Sequence, residues 1–318
     1  MLRTAATTVL GIDRPIIQAG MSSIYTNADL VVAVSEAGGL GVLGCLNRGA
    51  DEAVAEIRRI RARTAKPFGL NFVVEHLDER AFAACLEERV PILTFFRGDP
   101  VRVIDRAKAA GALTLYQVTT AAEAESAVGA GVDVLIAQGS EAGGHVGPVP
   151  RAQILPAVRA VAAGRPVLAA GGIVDAQTLA KVLAEGADGA WMGTRFLATP
   201  ESPAQPAHKR AIIAAGPGST VRSGVWDAIW GRPWPGVEVR AIRNDLLDRW
   251  LGREGEIEAS RVAINEAIDQ AYERDDAAEM DLLAGAGVDR INTIEPAGEL
   301  TRSIAAEAES ILDGATAG

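Results

Sequence analysis

The residues with the most chemistry to offer lie in one short run, Gln138-Gly139-Ser140-Glu141-Ala142-Gly143-Gly144-His145-Val146-Gly147. Its Gly-Gly-His sets an imidazole on a flexible turn, where it can give or take a proton near neutral pH. An isolated surface histidine would not need so many glycines around it, so His145 is the candidate acid or base. Glu141 offers a second carboxylate, for which buttressing the loop is the reading adopted. The other two of the chain's 3 histidines, His76 and His208, read as surface or packing residues. Ala170-Gly171-Gly172-Ile173 and Met192-Gly193-Thr194 present backbone N–H groups free of side chains and one hydroxyl, a combination that suits a phosphate. Asn71, Gln117, Gln138 and Ala19-Gly20-Met21 end other apolar runs. Amides and glycines fit a neutral heteroaromatic ligand better than a metal wanting several carboxylates or imidazoles, so no metal site is expected.

These residues meet only if the ends of the apolar runs lie side by side. Such runs begin near Pro15, Leu40, Phe68, Pro91, Leu113, Val132, Pro166 and Asp188, and each follows a glycine or proline that stops the helix before it. Thr26 with Asp29 is expected to cap the first helix, and Asp51, Asp78, Asp99 and Asp175 stand at the starts of others. Helix-ending segments such as Glu36-Ala37-Gly38-Gly39, Gly129-Ala130-Gly131 and Glu185-Gly186-Ala187 recur about once per unit. Repeated βα units of this number favour the α/β class and a closed (β/α)8 TIM barrel over an open doubly wound sheet. In that fold the sites sit at the C-terminal strand ends and phosphate is commonly held by the last two loops.

After Thr194 the alternation stops. The expected organisation is a barrel over 1–215, a small, mainly helical insertion after strand 8 over 216–286, and a C-terminal segment over 287–318 that returns to the barrel as a helix from Ala297. The insertion holds Trp226, Trp230, Trp234 and Trp250, read first as its own core. The stiff turn Arg232-Pro233-Trp234-Pro235-Gly236 further suggests a wall or lid over the ligand that sets substrate choice. Arg240 and Arg243 are the cations near that turn available to a bulky acidic ligand, and surface ion pairing is the reading adopted for both.

With 41 acidic against 31 basic side chains the net charge is -10, which repels nucleic acid and anionic membrane surfaces. A hydrophobic content of 48% excludes disorder and promises a large core. Neither a signal peptide nor a membrane span is visible. Cys45 and Cys85 fit neither a metal spacing nor a disulfide framework and read as core thiols, so the cytoplasm is the expected compartment, with homodimerisation left open.

The motifs PIIQAGM, AGGLGVLG, FGLNFV, AQGSEAGGHVG, PVLAAGGI and WMGTRFLATPES make the chain resemble the nitronate monooxygenase (2-nitropropane dioxygenase) family of FMN-dependent barrels. The resemblance implies oxidation of alkyl nitronates or nitroalkanes with O2, with the cofactor doing the redox work. It implies that Ala19, Gly20 and Met21 line the flavin ring and that Asn71 and Gln117 hydrogen-bond it. Gln138 and Gly143 would hold the ribityl chain and ring edge, with Trp191 and Met192 also at the cofactor. Gly171, Gly172, Gly193 and Thr194 would cradle the phosphate, and His145 matches the family's catalytic histidine. Gly20 stands where the family usually has proline. NAD(P)H-dependent enoyl-thioester reductases and NADH:quinone reductases share the fold and a similar loop, and both stay as alternatives, as does a barrel that binds FMN without turnover. With no GxGxxG in a strand-turn-helix unit, a pyridine nucleotide would bind only transiently.

Overall fold

The structure is a computed structural model that describes residues 2–232 and 234–316, so Pro233 of the Arg-Pro-Trp-Pro-Gly turn lies outside the described residues. The apolar runs form parallel strands because helices cover one face of each and the barrel interior the other. They are β1 (Ile16–Gln18), β2 (Gly41–Gly44), β3 (Phe68–Val73), β4 (Ile92–Phe96), β5 (Leu113–Val118) and β6 (Val134–Gln138). After β7 (Gly144–Val146), which stands outside the barrel, come β8 (Val167–Ala170) and β9 (Gly189–Met192). The eight barrel strands run in the order β1-β9-β8-β6-β5-β4-β3-β2. The seam between β1 and β2 is closed by a single bridge, Ile17 to Leu40. A side chain completes it: Gln18 Oε1 accepts from Val42 N at 3.0 Å, and Gln18 Nε2 donates to Val42 O at 3.1 Å.

Ile17, Val42, Ile92, Leu115, Ile136 and Leu168 fill the barrel, and Ala6, Leu10 and Ile12 plug its N-terminal end. Thr4 holds that plug in place by donating from Oγ1 to Asp188 O at 2.6 Å. A second apolar layer separates the strands from the surrounding helices. The helix that follows β9 in the ring, Ala297–Thr316, packs between the helices Ala176–Ala184 and Ala28–Glu36. The cap of Ala28–Glu36 is Asn27, which accepts from Leu30 N at 3.0 Å, and not Thr26. Thr26 is fully buried, and its hydroxyl is used to accept from Gly44 N at 2.8 Å, which anchors the end of β2. Asp78 and Asp175 cap their helices as expected, whereas Asp51 lies in the first turn behind Gly49. Among the described residues no helix is long and apolar enough to cross a membrane.

The segment between β9 and the last helix contains more sheet than its helix-rich reading suggested. β10 (Thr220–Ser223) and β11 (Glu238–Ile242) pair antiparallel, and β11 also pairs with β7, giving a three-stranded sheet in the order β10-β11-β7. Helices Val225–Trp230, Asp245–Trp250 and Ile257–Arg274 build a core around Trp226.

Beneath this insertion lies a buried polar cluster. Tyr25 OH donates to Asp281 O at 3.1 Å, Tyr272 OH donates to the Asp281 carboxylate, and His208 shares a hydrogen bond with Leu283 O at 3.1 Å. Burial pushes the Asp281 carboxyl up to about 6 and the His208 imidazole down to about 4. The Asp281 contribution to stability is full below its ordinary 3.8 and is lost as pH rises through 6. The His208 contribution is full above its ordinary 6.5 and is lost as pH falls through 4. Their slopes therefore oppose each other in the shared window. Asp281→Asn is expected to leave a protein that loses stability on acidification through that window, and His208→Gln one that loses it on alkalinisation, each on the order of 3 kcal/mol. Urea denaturation at stepped pH measures both slopes, and two variants with the wild-type slope would refute the pairing.

Candidate active site

At the C-terminal strand ends a cavity of about 1140 Å³, open space at its mouth included, gathers most of the chemistry-bearing residues. Ala19, Gly20 and Met21 follow β1, Asn71 lies on β3, Gln117 on β5 and Gln138 on β6. Gly171 and Gly172 follow β8, Trp191 lies on β9 with Gly193 and Thr194 after it, and Gly143 and His145 descend from the loop beyond β6. Met192 is the exception. Strand alternation turns its side chain away from the interior into the layer beneath the helices, where it is 1% exposed. Its carbonyl still serves the site by accepting from Ala19 N at 2.9 Å.

One end of the cavity is bare backbone. Gly171 and Gly172 adopt φ of +111° and +65°, conformations open to glycine and strained for other residues, and Arg151 donates to the Gly171 carbonyl. Thr194 Oγ1 accepts from Gly285 N at 2.9 Å, which brings Gly285 and Gly287 to the same end. Sequence reading passed over these two, although their Gly-Ala-Gly spacing repeats the glycine signal of the strand ends. Glu141 buttresses the loop from β6: its Oε2 accepts from Arg151 N at 2.8 Å and its carbonyl from Ala286 N at 2.8 Å. Arg240 braces the loop as well, donating from Nε to Ser140 O at 2.9 Å, while Arg243 is paired with Asp248.

The middle of the cavity is edged with neutral amides. Asn71 Nδ2 donates to Thr94 Oγ1 at 2.8 Å. Gln138 Nε2 donates to His145 O at 3.2 Å, and its Oε1 is buried with no hydrogen-bond partner among the described residues. Gly20 explains how Asn71 reaches its place: an added Cβ there would overlap Asn71 Cβ and come within 2.9 Å of both Asn71 Cγ and Val42 Cγ1.

His145 marks the other end. It lies on β7, opposite Val239 of β11. Its Nε2 is hydrogen-bonded to Asp227 Oδ1 at 2.7 Å, and its ring stacks on Trp234 with centroids 3.8 Å apart and planes 10° apart. Trp234 also meets His76 at 4.9 Å and Phe96 at 6.2 Å, so His76 is a packing residue at the rim. Burial and the Arg232 guanidinium hold the His76 imidazole below its ordinary range. Leu46, Val73, Phe96 and Trp234 form an apolar wall. Of the insertion's tryptophans, Trp226 is fully buried in the local core and Trp234 faces the cavity. Asp227 escaped sequence reading because its one signal is a lone acid inside the apolar helix Val225–Trp230.

The profile of the nitronate monooxygenase family matches residues 3–88 and 76–307. The chain belongs to that family. Enzymes of the nitronate monooxygenase family are flavin-dependent oxidoreductases, and this chain is an oxidoreductase. A Mycobacterium tuberculosis (3aS,4S,5R,7aS)-5-hydroxy-7a-methyl-1-oxo-octahydro-1H-indene-4-carboxyl-CoA dehydrogenase is 38% identical over 251 residues, 78% of this chain and 68% of that one. The solved structure of FabK from Thermotoga maritima superposes with a TM-score of 0.90 at 30% identity, covering 100% of this chain and 99% of that one. Nitroalkane oxidase from Streptomyces ansochromogenes follows with a TM-score of 0.85 at 30% identity, covering 98% and 100%.

Gly20→Ala tests the packing at the cavity floor. The added methyl must displace Asn71, at an expected cost of about 1–3 kcal/mol. An unchanged urea midpoint would show that Asn71 gives way freely.

Proposed function

We propose that the cavity binds FMN and that the enzyme oxidises alkyl nitronates, and the nitroalkanes that yield them, with O2. The observation that carries this reading is one cavity with a side-chain-free glycine cradle at one end, neutral amides along its middle and His145 at the other. The donor set fits FMN: backbone N–H groups for a phosphate dianion, and an orphaned acceptor, Gln138 Oε1, that a flavin hydroxyl or N–H satisfies. Bound FMN supplies the redox chemistry, accepting electrons from the substrate and passing them to O2. Gly171, Gly172, Gly193, Thr194 and Gly287 hold the phosphate. Ala19, Gly20, Met21 and Trp191 border the ring, and Asn71, Gln117, Gln138 and Gly143 orient it. His145 exchanges a proton with the substrate, while the wall of Leu46, Val73, Phe96 and Trp234 keeps water away and suits a small alkyl group. The two buried thiols, Cys45 and Cys85, accord with a cytoplasmic enzyme.

The 38% identity to a carboxyl-CoA dehydrogenase favours thioester oxidoreduction as the second reading. Against it, neither Arg240 nor Arg243 lines the cavity, and Arg240 is spent on bracing the loop through Ser140 O. Faster turnover of acyl-CoA compounds than of nitronates would install the second reading in place of the first.

Gly193→Ala isolates the cradle. Gly193 has φ of −101°, and an added Cβ would lie 3.7 Å from Met21 Sδ and 3.9 Å from Ala19 Cβ, ordinary contacts that the fold tolerates. Weaker FMN retention by about tenfold or more is expected, with an unchanged melting temperature of the FMN-free protein. Undiminished affinity in equilibrium dialysis would remove the phosphate from this end.

His145→Asn is expected to keep the fold and the flavin spectrum and to lower turnover by about 10² to 10⁴, the usual worth of a positioned acid or base. Steady-state kinetics at matched flavin content decides, and wild-type rates would exclude His145 from the chemistry.

A further inference from the structure

Asp227 lies on neither the barrel nor the loop from β6, yet its carboxylate is the hydrogen-bond partner of His145 at 2.7 Å. It is 8% exposed and pairs with no cation among the described residues other than an imidazole that carries charge only when protonated. Its helix, Val225–Trp230, is locked in rotation by Val225, Trp226 and Ile229, all fully buried. The carboxylate is therefore delivered to His145 by the insertion's own core. The Trp234 stack fixes the plane of the imidazole, and the Asp227 hydrogen bond fixes its rotation within that plane.

Resting on the proposed role of His145, we propose that Asp227 is a positioning residue that makes His145 a base for substrates arriving with their proton. The site then takes neutral carbon acids of the nitroalkane class and removes the α-proton itself. A carboxylate accepts from Nε2–H, which commits that nitrogen and leaves Nδ1 to receive a proton. In the transfer the substrate's Cα–H bond breaks, its electron pair moves onto the nitro group, and the proton forms a bond to Nδ1. Oxidation level does not change in this step. Before it, Asp227 is a buried carboxylate facing a neutral ring. After it, the carboxylate faces an imidazolium, and the new nitronate lies beside that cation. A nitronate entering from solution meets the carboxylate without that compensation. Arg97, whose guanidinium lies 5.9 Å from the Trp234 ring centroid, is itself paired with Glu75 at 3.4 Å.

The test compares FMN-loaded wild type, Asp227→Asn, Asp227→Glu and the His145→Asn/Asp227→Asn double variant on nitroethane and on its preformed nitronate. Asp227→Asn is expected to lower kcat/KM for nitroethane by about 10²-fold and to leave the nitronate value within about threefold. It should also enlarge the primary isotope effect with nitroethane deuterated at its α-carbon. Asp227→Glu should recover part of the loss, and the double variant should be no slower than His145→Asn alone, because both residues serve one proton. Equal losses on the two substrates, an unchanged isotope effect or strict additivity would overturn the role of Asp227. Should Asp227→Asn fail to hold flavin, the same two-substrate comparison in Asp227→Glu decides, since a charge kept at altered reach must still slow nitroethane more than nitronate. Wild type that oxidises neither compound would overturn the proposed function itself, an outcome distinct from wild type active on both with Asp227→Asn unaltered.

Discussion

Everything at the reactive end of the cavity hangs on a short antiparallel pairing. Gly144 and His145 of β7 lie opposite Arg240 and Val239 of β11, and this joins a loop of the barrel to a sheet of the insertion. A glycine-rich loop left to itself would sample many conformations. Backbone hydrogen bonds to β11 remove that freedom, and the same insertion brings Trp234 and Asp227 to the imidazole. The histidine is thus held from outside the barrel, by residues far along the chain. Arg240 reinforces the arrangement because its backbone joins the pairing while its guanidinium grips Ser140 on the same loop.

Much of this was legible in the residues themselves. The barrel strands announce themselves as apolar runs after glycine or proline, and sites in this fold follow strand ends, so Asn71, Gln117, Gln138, Gly171, Gly172 and Thr194 could be named before their positions were known. The insertion was harder to read. β7 is 3 residues long, too short for alternation to show, and its partner is distant in sequence. Asp227 carries no pattern, since one acid in a helix that begins Val-Trp-Asp reads as a solvated position until the fold wraps it against His145. The side chain of Met192 lies outside the cavity for a local reason: strand alternation turns it outward next to the inward Trp191, which a motif does not show. Asn27 took the cap from Thr26 because burial gave the threonine another task.

The cavity owes its shape as much to missing side chains as to present ones. Gly20 is empty space that Asn71 fills, and Gly143 lets the loop touch the backbone of Ala284 and Gly285, where a Cβ would come within 2.6 Å of Ala284 C. At Gly193 the open space faces the cavity itself: the nearest atoms to an added Cβ are 3.7 Å away, whereas Gly171, Gly285 and Gly287 meet backbone at 3.0 Å or less. The first kind of glycine holds the protein together, and the second leaves room for a guest.

The placement of the helix Ala297–Thr316 carries a consequence for how the chain comes off the ribosome. Its buried face, including Ala297, Leu300, Ile304, Ala305 and Ala308, covers the flank between the helices Ala28–Glu36 and Ala176–Ala184, both of which are made before it. The whole insertion is synthesised before that cover arrives. During this interval β1 can find β9, but the groove outside them stays greasy and open, a surface on which nascent chains stick to one another. Slow translation through the insertion lengthens the time the groove must be shielded before this helix covers it.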